Sequence, residues 1–110
     1  MSRKRIPAIL LALLALAVTA CGGRAGGGED EKLRVAVIMP SSITDLAFSQ
    51  SMYDALVKVQ ADMGGEEAME LVYSESMFVV DDAAAAIRDY ASQGYNLIIA
   101  HGSQYGSSLK

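Results

Sequence analysis

The sequence has a single cysteine, a single histidine and no tryptophan. One cysteine excludes a disulfide framework within the chain and a cysteine-based zinc cluster. One histidine argues against a histidine-rich metal site. Basic residues are scarce as well. Arg3, Lys4 and Arg5 stand at the very start, and after residue 20 only Arg24, Lys32, Arg34, Lys58, Arg88 and Lys110 remain to face thirteen Asp and Glu. Phosphate contacts need clustered Lys and Arg, so no nucleic-acid partner is expected. At 110 residues the chain is one domain at most. It is not a disordered tail, because Val, Ile, Leu and Met recur in ordered patterns after Leu33.

Behind the three cationic residues, Ile6 to Val18 is an apolar run interrupted only by Pro7. It is too short to span a bilayer as a stable helix, and it has the form of a secretion signal. It ends in Val18-Thr19-Ala20 and then Cys21. An aliphatic residue, two small residues and a cysteine resemble a bacterial lipobox. The resemblance implies residues 1–20 as a lipoprotein signal peptide, cleavage before Cys21, and acyl chains on the Cys21 sulfur and the new amino terminus. Two or three acyl chains hold a protein at a membrane lastingly, at ~0.8 kcal/mol per buried CH₂. Residues 21–32 are glycine-rich without apolar periodicity and read as a flexible tether. Their glycines lack the Gly-x-Gly-x-x-Gly spacing and no strand precedes them, so no dinucleotide cofactor is implied.

From residue 33 to 110 the pattern is strand, helix, strand, helix, strand. Leu33–Met39, stopped by Pro40, reads as a strand buried on both faces. Phe48, Met52, Leu56, Val59 and Met63 share one helical face, with Thr44 or Asp45 as its cap and Gly64-Gly65 as its end. Met69–Tyr73 is a second, more mixed strand. A second helix is capped by Asp81 or Asp82, turns Ala83, Ile87, Tyr90 and Ala91 inward and stops before Gly94. Tyr95–Ala100 is a third buried strand, and Ser103–Lys110 looks like the start of another helix. Alternating strands and helices imply an α/β fold of right-handed βαβ units with a parallel sheet, in the order 2-1-3. The third strand needs a neighbour on its open side, so the sequence reads as part of a longer protein with an exposed strand edge.

The segments Val35 to Leu56, Tyr73-Ser74-Glu75-Ser76 and Ile87 to Gly102 resemble the basic membrane protein family. The Arg88-Asp89-Tyr90-Ala91 run leading through Gly94-Tyr95-Asn96-Leu97-Ile98-Ile99 to His101-Gly102 carries much of the likeness, with Asp45-x-x-Phe48-x-Gln50 at the first helix. The family comprises lipoprotein substrate-binding proteins of ABC importers, and its best-known members are purine nucleoside receptors. The resemblance implies the start of the N-terminal lobe of a two-lobe fold, with ligand held between the lobes. In open parallel sheets ligands sit beyond the carboxyl ends of the strands, where Pro40–Ala47, Ser74–Asp82 and His101–Gly106 gather.

Each candidate there has a ligand role and a plainer one. Asp45 could accept from sugar hydroxyls or a base amine, or cap the helix. The resemblance suggests that Phe48 stacks on a ligand base; its phase with Met52 and Leu56 suggests core. Gln50 belongs to the ligand-facing set, while Ser49 stands where relatives carry Asn. Ser74 and Ser76 could donate to hydroxyls, and Phe78 is a cleft-lip or packing residue. His101 could bond ligand or a local carbonyl, Gly102 could allow close backbone approach, and Tyr105 is a ligand contact or a surface residue.

No enzyme is expected. Gly102-Ser103-Gln104-Tyr105-Gly106 is out of register for Gly-x-Ser-x-Gly, and no second histidine offers a base. Asp81-Asp82 as a metal or phospho-acceptor pair is weaker than Asp81-Asp82 as a helix N-terminus. The expectation is a lipid-anchored substrate-binding protein, facing the periplasm or cell exterior, that captures a nucleoside-like solute and delivers it to an ABC permease. The alternatives are a sensory or interaction lipoprotein and a lipoprotein hydrolase with catalytic residues beyond Lys110. With half a cleft, residues 33–110 alone should bind ligand poorly.

Overall fold

The computed structural model describes residues 31–110. The signal sequence, Cys21 and most of the tether lie outside the described residues. Five regular elements follow in order: β1 (Leu33–Ile38), α1 (Phe48–Met63), β2 (Met69–Ser74), α2 (Val80–Ser92) and β3 (Leu97–Ala100), with short 3-10 helices at Gly65–Glu67 and Ser103–Leu109. The sheet runs β2-β1-β3 with both pairings parallel. This is the α/β architecture and strand order that the alternation of patterns implies.

Period-two alternation along β1 sends side chains to two cores. Val37 and Met39 pack with Leu56 of α1, and Ile43, Met52, Tyr53, Leu71 and Ile99 close around them. Ile38 faces the other way, against Ala83 of α2 and Tyr105, with Ala86, Ile87, Tyr90 and Ile98 at its flanks. One helix therefore covers each face of the sheet, and β1 is buried from Val35 onward. Each such aliphatic side chain contributes about 1.5–3 kcal/mol of burial.

Four expectations need correction. The inner face of α1 is not the Phe48-Met52-Leu56-Val59-Met63 stripe: Phe48, Val59 and Met63 are exposed, and Ser49 is fully buried instead. Met52 and Leu56 stay in the core, but the helix is turned so that Ser49, whose hydroxyl bonds Ser41 of the preceding loop, faces inward, and Gln60 reaches the Met69 carbonyl (2.9 Å). Neither Asp81 nor Asp82 caps α2; both lie in its first turn behind Val79, where they complement the macrodipole. Ala91 is exposed, and Ala86 packs in its place. The third strand is less buried than its sequence suggests. Leu97 is 48% exposed, because β3 has β1 on one side and no further strand on the other among the described residues.

A polar clasp fixes the amino ends of the strands. Arg34 donates from Nε to Glu70 Oε2 (3.0 Å) and from Nη1 to the Gln93 carbonyl (2.6 Å). Its guanidinium lies 4.2 Å from the Tyr95 ring centroid, and the Tyr95 hydroxyl donates to Glu70 Oε1 (2.7 Å). The Arg34 hydrogen bond, and after it that of Tyr95, hold the Glu70 carboxyl below its ordinary range. The clasp ties β1, β2 and the turn at Gly94, whose φ of 78° suits glycine. It sits at the end of the sheet opposite the candidate site.

Candidate functional site

At the carboxyl ends of the strands, three loops meet and are stitched by main-chain bonds. Loop one follows β1, loop two follows β2 and loop three follows β3. Ser76 N–H donates to the Ser41 carbonyl (3.2 Å) and Met77 N–H to that of Met39 (3.0 Å), which joins loops one and two. The Glu75 carboxylate also accepts from Ile43 N–H (2.7 Å). Tyr105 donates its hydroxyl to the Met77 carbonyl (2.6 Å), joining loops two and three. His101 N–H donates to the Ile38 carbonyl (2.9 Å), and its ring bonds the Phe48 carbonyl (3.1 Å), joining loops three and one. Glu75 and Ser41 have no spacing signature that sequence reasoning could have used.

Asp45 is the hub of loop one. Its Oδ1 accepts from Ala47 and Gln50 N–H (2.9 and 3.1 Å), and its Oδ2 accepts from the Ser41 hydroxyl and Ser49 N–H (2.5 and 3.1 Å). The side chain thus caps α1 from a position just before it, and Thr44 takes no part beyond its bond to Ser42. The Ser41 hydroxyl proton goes to Asp45, so the Ser49 hydroxyl donates to Ser41 Oγ (2.8 Å) while accepting from Ser41 N–H (3.2 Å). These donors, the Ser41 hydroxyl foremost, drive the Asp45 carboxyl far below the usual carboxylate range. A depressed pKa means that the cap stabilises the fold above the ordinary carboxylate value, and that this is lost as pH falls through the depressed one. An acid titration of unfolding should show a descending limb below about pH 4, flattened in Asp45→Asn. An unchanged limb in that variant would place the acid sensitivity elsewhere.

The next residue is strained. Leu46 adopts φ 59° and is 89% exposed, held by its own N–H on Gln50 Oε1 (2.9 Å). A left-handed conformation costs a non-glycine residue roughly 1–2 kcal/mol, and asparagine tolerates it best. Leu46→Asn should therefore raise the urea midpoint by the equivalent of about 1 kcal/mol; a lower midpoint would mean that the leucine packs against something. Leu46 lines an open recess of about 240 Å³ with Ala47, Gln50, Ser51 and Asp54. A second, of about 480 Å³, lies at the opposite end of the sheet, lined in part by Leu33, Met63 and Glu67.

The sequence-predicted residues are brought to one edge, but most polar atoms among them are engaged internally. Asp45 is used as described. The Ser74 hydroxyl lies 2.8 Å from that of Tyr90, on the α2 side. Gln50 has one amide oxygen occupied by Leu46 and its amide donors left over. Gly102 is extended, and the space a Cβ would need is filled by the Gln104 side chain (2.7 Å) and the Tyr105 ring (2.8 Å). Its lack of a side chain makes room for Tyr105. Tyr105 is neither at the surface nor in the cleft: it is fully buried between Ile38 and Ala83, and burial pushes its hydroxyl pKa up. Large apolar side chains also face solvent here, Leu46, half of Phe48, and Phe78 at the lip of loop two, beside exposed Thr44, Ser76 and Ser103. The Phe48 ring is stacked on His101, with centroids 3.8 Å apart and planes at 14°.

Such an edge can hold a flat, partly apolar ligand against Phe48, with amide and main-chain groups at its rim. Among the described residues no group of three metal-ligating side chains converges.

Comparison with known proteins bears on the fold and the family. The family model Bmp, described as ABC transporter substrate-binding protein PnrA-like, matches residues 32–110. A curated relative, the transcriptional activator protein Med of Bacillus subtilis (strain 168), is 28% identical over 97 residues, which is 88% of this chain and 29% of that protein. A solved structure, an ABC transporter solute-binding protein from Conexibacter woesei DSM 14684, superposes with a TM-score of 0.62 at 22% identity, over 69% of this chain and 24% of the other. The chain thus spans less than a third of either protein's length.

Proposed function

Because the chain belongs to the Bmp family of PnrA-like ABC transporter substrate-binding proteins, we propose that it forms half of a solute-binding cleft that captures a small polar solute, a purine nucleoside, and passes it to an ABC permease. The observation that carries this reading is the half-exposed Phe48 ring at the carboxyl edge of a parallel sheet, between loops fixed by main-chain bonds. Ligands of such sheets bind at that edge, and a flat ring stacks on a base with roughly 1–3 kcal/mol per base. Cleft closure around the solute would be its mechanism, driven only by contacts that the closed state adds. No bond is made or broken.

The sequence Val18-Thr19-Ala20-Cys21 supports a second part of the proposal. The protein is anchored by acyl chains on Cys21 and faces the periplasm or cell exterior on a glycine-rich tether. Two measurements on protein isolated from its own cells test these statements. Calorimetry with guanosine, adenosine and inosine should show micromolar or tighter binding of at least one; silence toward all three removes the nucleoside. Mass spectrometry of the N-terminal peptide should show an acylated Cys21 as the first residue, whereas an intact Met1 with a free thiol removes the anchor. The name of the Med relative favours one alternative, a regulatory rather than transporting role for the same lobe. A cell that takes up labelled nucleoside equally well without the protein would support that alternative.

A further inference from the structure

An aromatic side chain in the first turn of a helix, with half its surface in water, turns among rotamers, and a ligand stacking on it must freeze that motion. Phe48 is different because of one neighbour. His101 covers one face of its ring in near-parallel contact at 3.8 Å. The same imidazole bonds the Phe48 main-chain carbonyl through Nε2 at 3.1 Å. A carbonyl can only accept, so Nε2 carries the proton. His101 is itself fixed, since its main-chain N–H is held by the Ile38 carbonyl at the end of the central strand (2.9 Å). Through one imidazole, the ring of Phe48 and its main chain are therefore both referenced to the sheet. With one face covered and 51% of the residue still exposed, the opposite face is what meets solvent.

We propose that His101 is a positioning residue, which backs Phe48 and makes it a one-faced platform, so that a planar aromatic ligand adds as the third layer of the stack. This rests on the reading of Phe48 as the base-stacking residue. It assigns to His101 a role other than hydrogen bonding to ligand. It also fixes the order of layers: the ligand lies on the outer face of Phe48 and does not enter between the two rings, which are already at contact distance. The side of the platform away from the sheet thereby selects flat ring systems over solutes without one.

The His101 imidazole resonances are identified by their loss in His101→Phe. In the free protein they should lie upfield of an exposed histidine's, through the Phe48 ring current, and return to ordinary positions in Phe48→Leu. An unshifted imidazole in the wild type overturns the proposal whatever the ligand. In the membrane-isolated protein, His101→Ala should weaken binding of the nucleoside that the wild type binds by about three- to tenfold, the range expected for freezing one side chain. His101→Phe, which restores a stacked ring without the hydrogen bond, should recover most of that affinity, and His101→Asn should not. Recovery by His101→Phe also shows that the loss is not a failure to fold. Equal or tighter binding by His101→Ala overturns the proposal, since a ligand that slides between the rings would gain from the deletion. A wild type that binds no nucleoside is a different result, and it removes the nucleoside reading itself.

Discussion

Tyr105→Ala should cost about 3–5 kcal/mol, the range for deleting a buried aromatic ring. Tyr105 has no solvent exposure, and its ring sits against Ile38 and Ala83, where β1, α2 and the third loop converge. The hole would not refill easily. Its walls are the central strand and a helix, both tied into the sheet, and the nearby Gly102 has no side chain to move in. The hydroxyl adds a second component, because it satisfies the Met77 carbonyl at 2.6 Å. Tyr105→Phe keeps the ring and leaves that carbonyl unpaired, at about 1–3 kcal/mol. Urea denaturation followed by far-UV circular dichroism ranks the variants as wild type, Phe, Ala. Domains of this size have about 5–15 kcal/mol in all, so the alanine variant should show a population of unfolded chain near body temperature. An alanine midpoint equal to the wild type's would mean that the 3-10 helix is not docked in solution.

The second large effect is on binding. Phe48→Ala should weaken nucleoside affinity about 10- to 100-fold, which is what the loss of one base–aromatic stack amounts to. The same substitution should change stability by less than about 1 kcal/mol, because the ring is half in water and belongs to neither buried cluster. The two readouts separate the two roles its sequence position allows. A core residue would give the reverse result, a large drop in the urea midpoint and an affinity unchanged in the folded fraction. Phe48→Trp, which keeps a flat face, should bind nearly as well as the wild type. Calorimetry and denaturation on the same preparations decide between them.

The strand order, the parallel sheet and the two-sided burial of β1 were legible because they follow from alternation and apolar run length. The phase of α1 was not. Phe48, Met52, Leu56, Val59 and Met63 form a good apolar stripe, and a stripe normally turns inward. Here a serine overrides it. Ser49 is pulled into the loop by Ser41, and Ser41 in turn is bonded to Asp45, so a polar network between serines eight positions apart sets the rotation of a sixteen-residue helix. Periodicity sees apolar content and is blind to that network. By sequence Gly102 offers backbone room for a ligand, and Tyr105 is a ligand contact or a surface residue. The two are one feature, a glycine that makes space for a ring, and only the fold brings the ring back over it. Asp45 was legible as a cap by its residue type and position. That the same carboxylate takes four donors at once depends on a loop conformation which includes the left-handed Leu46 and which no pattern announces.

Loops one and two are joined through backbone atoms, Ser76 to Ser41 and Met77 to Met39, and His101 N–H is held by the Ile38 carbonyl in the same way. Such seams are indifferent to what the participating residues carry beyond Cα. Phe78 and Thr44, both exposed, can be exchanged while the frame under them stays put, which makes this rim easy to retune, whereas Ser76 is held at φ 58° and the Ser42 hydroxyl holds Thr44 N–H. A lineage could move from one solute to another by changing a few rim side chains, without rebuilding the scaffold that displays them.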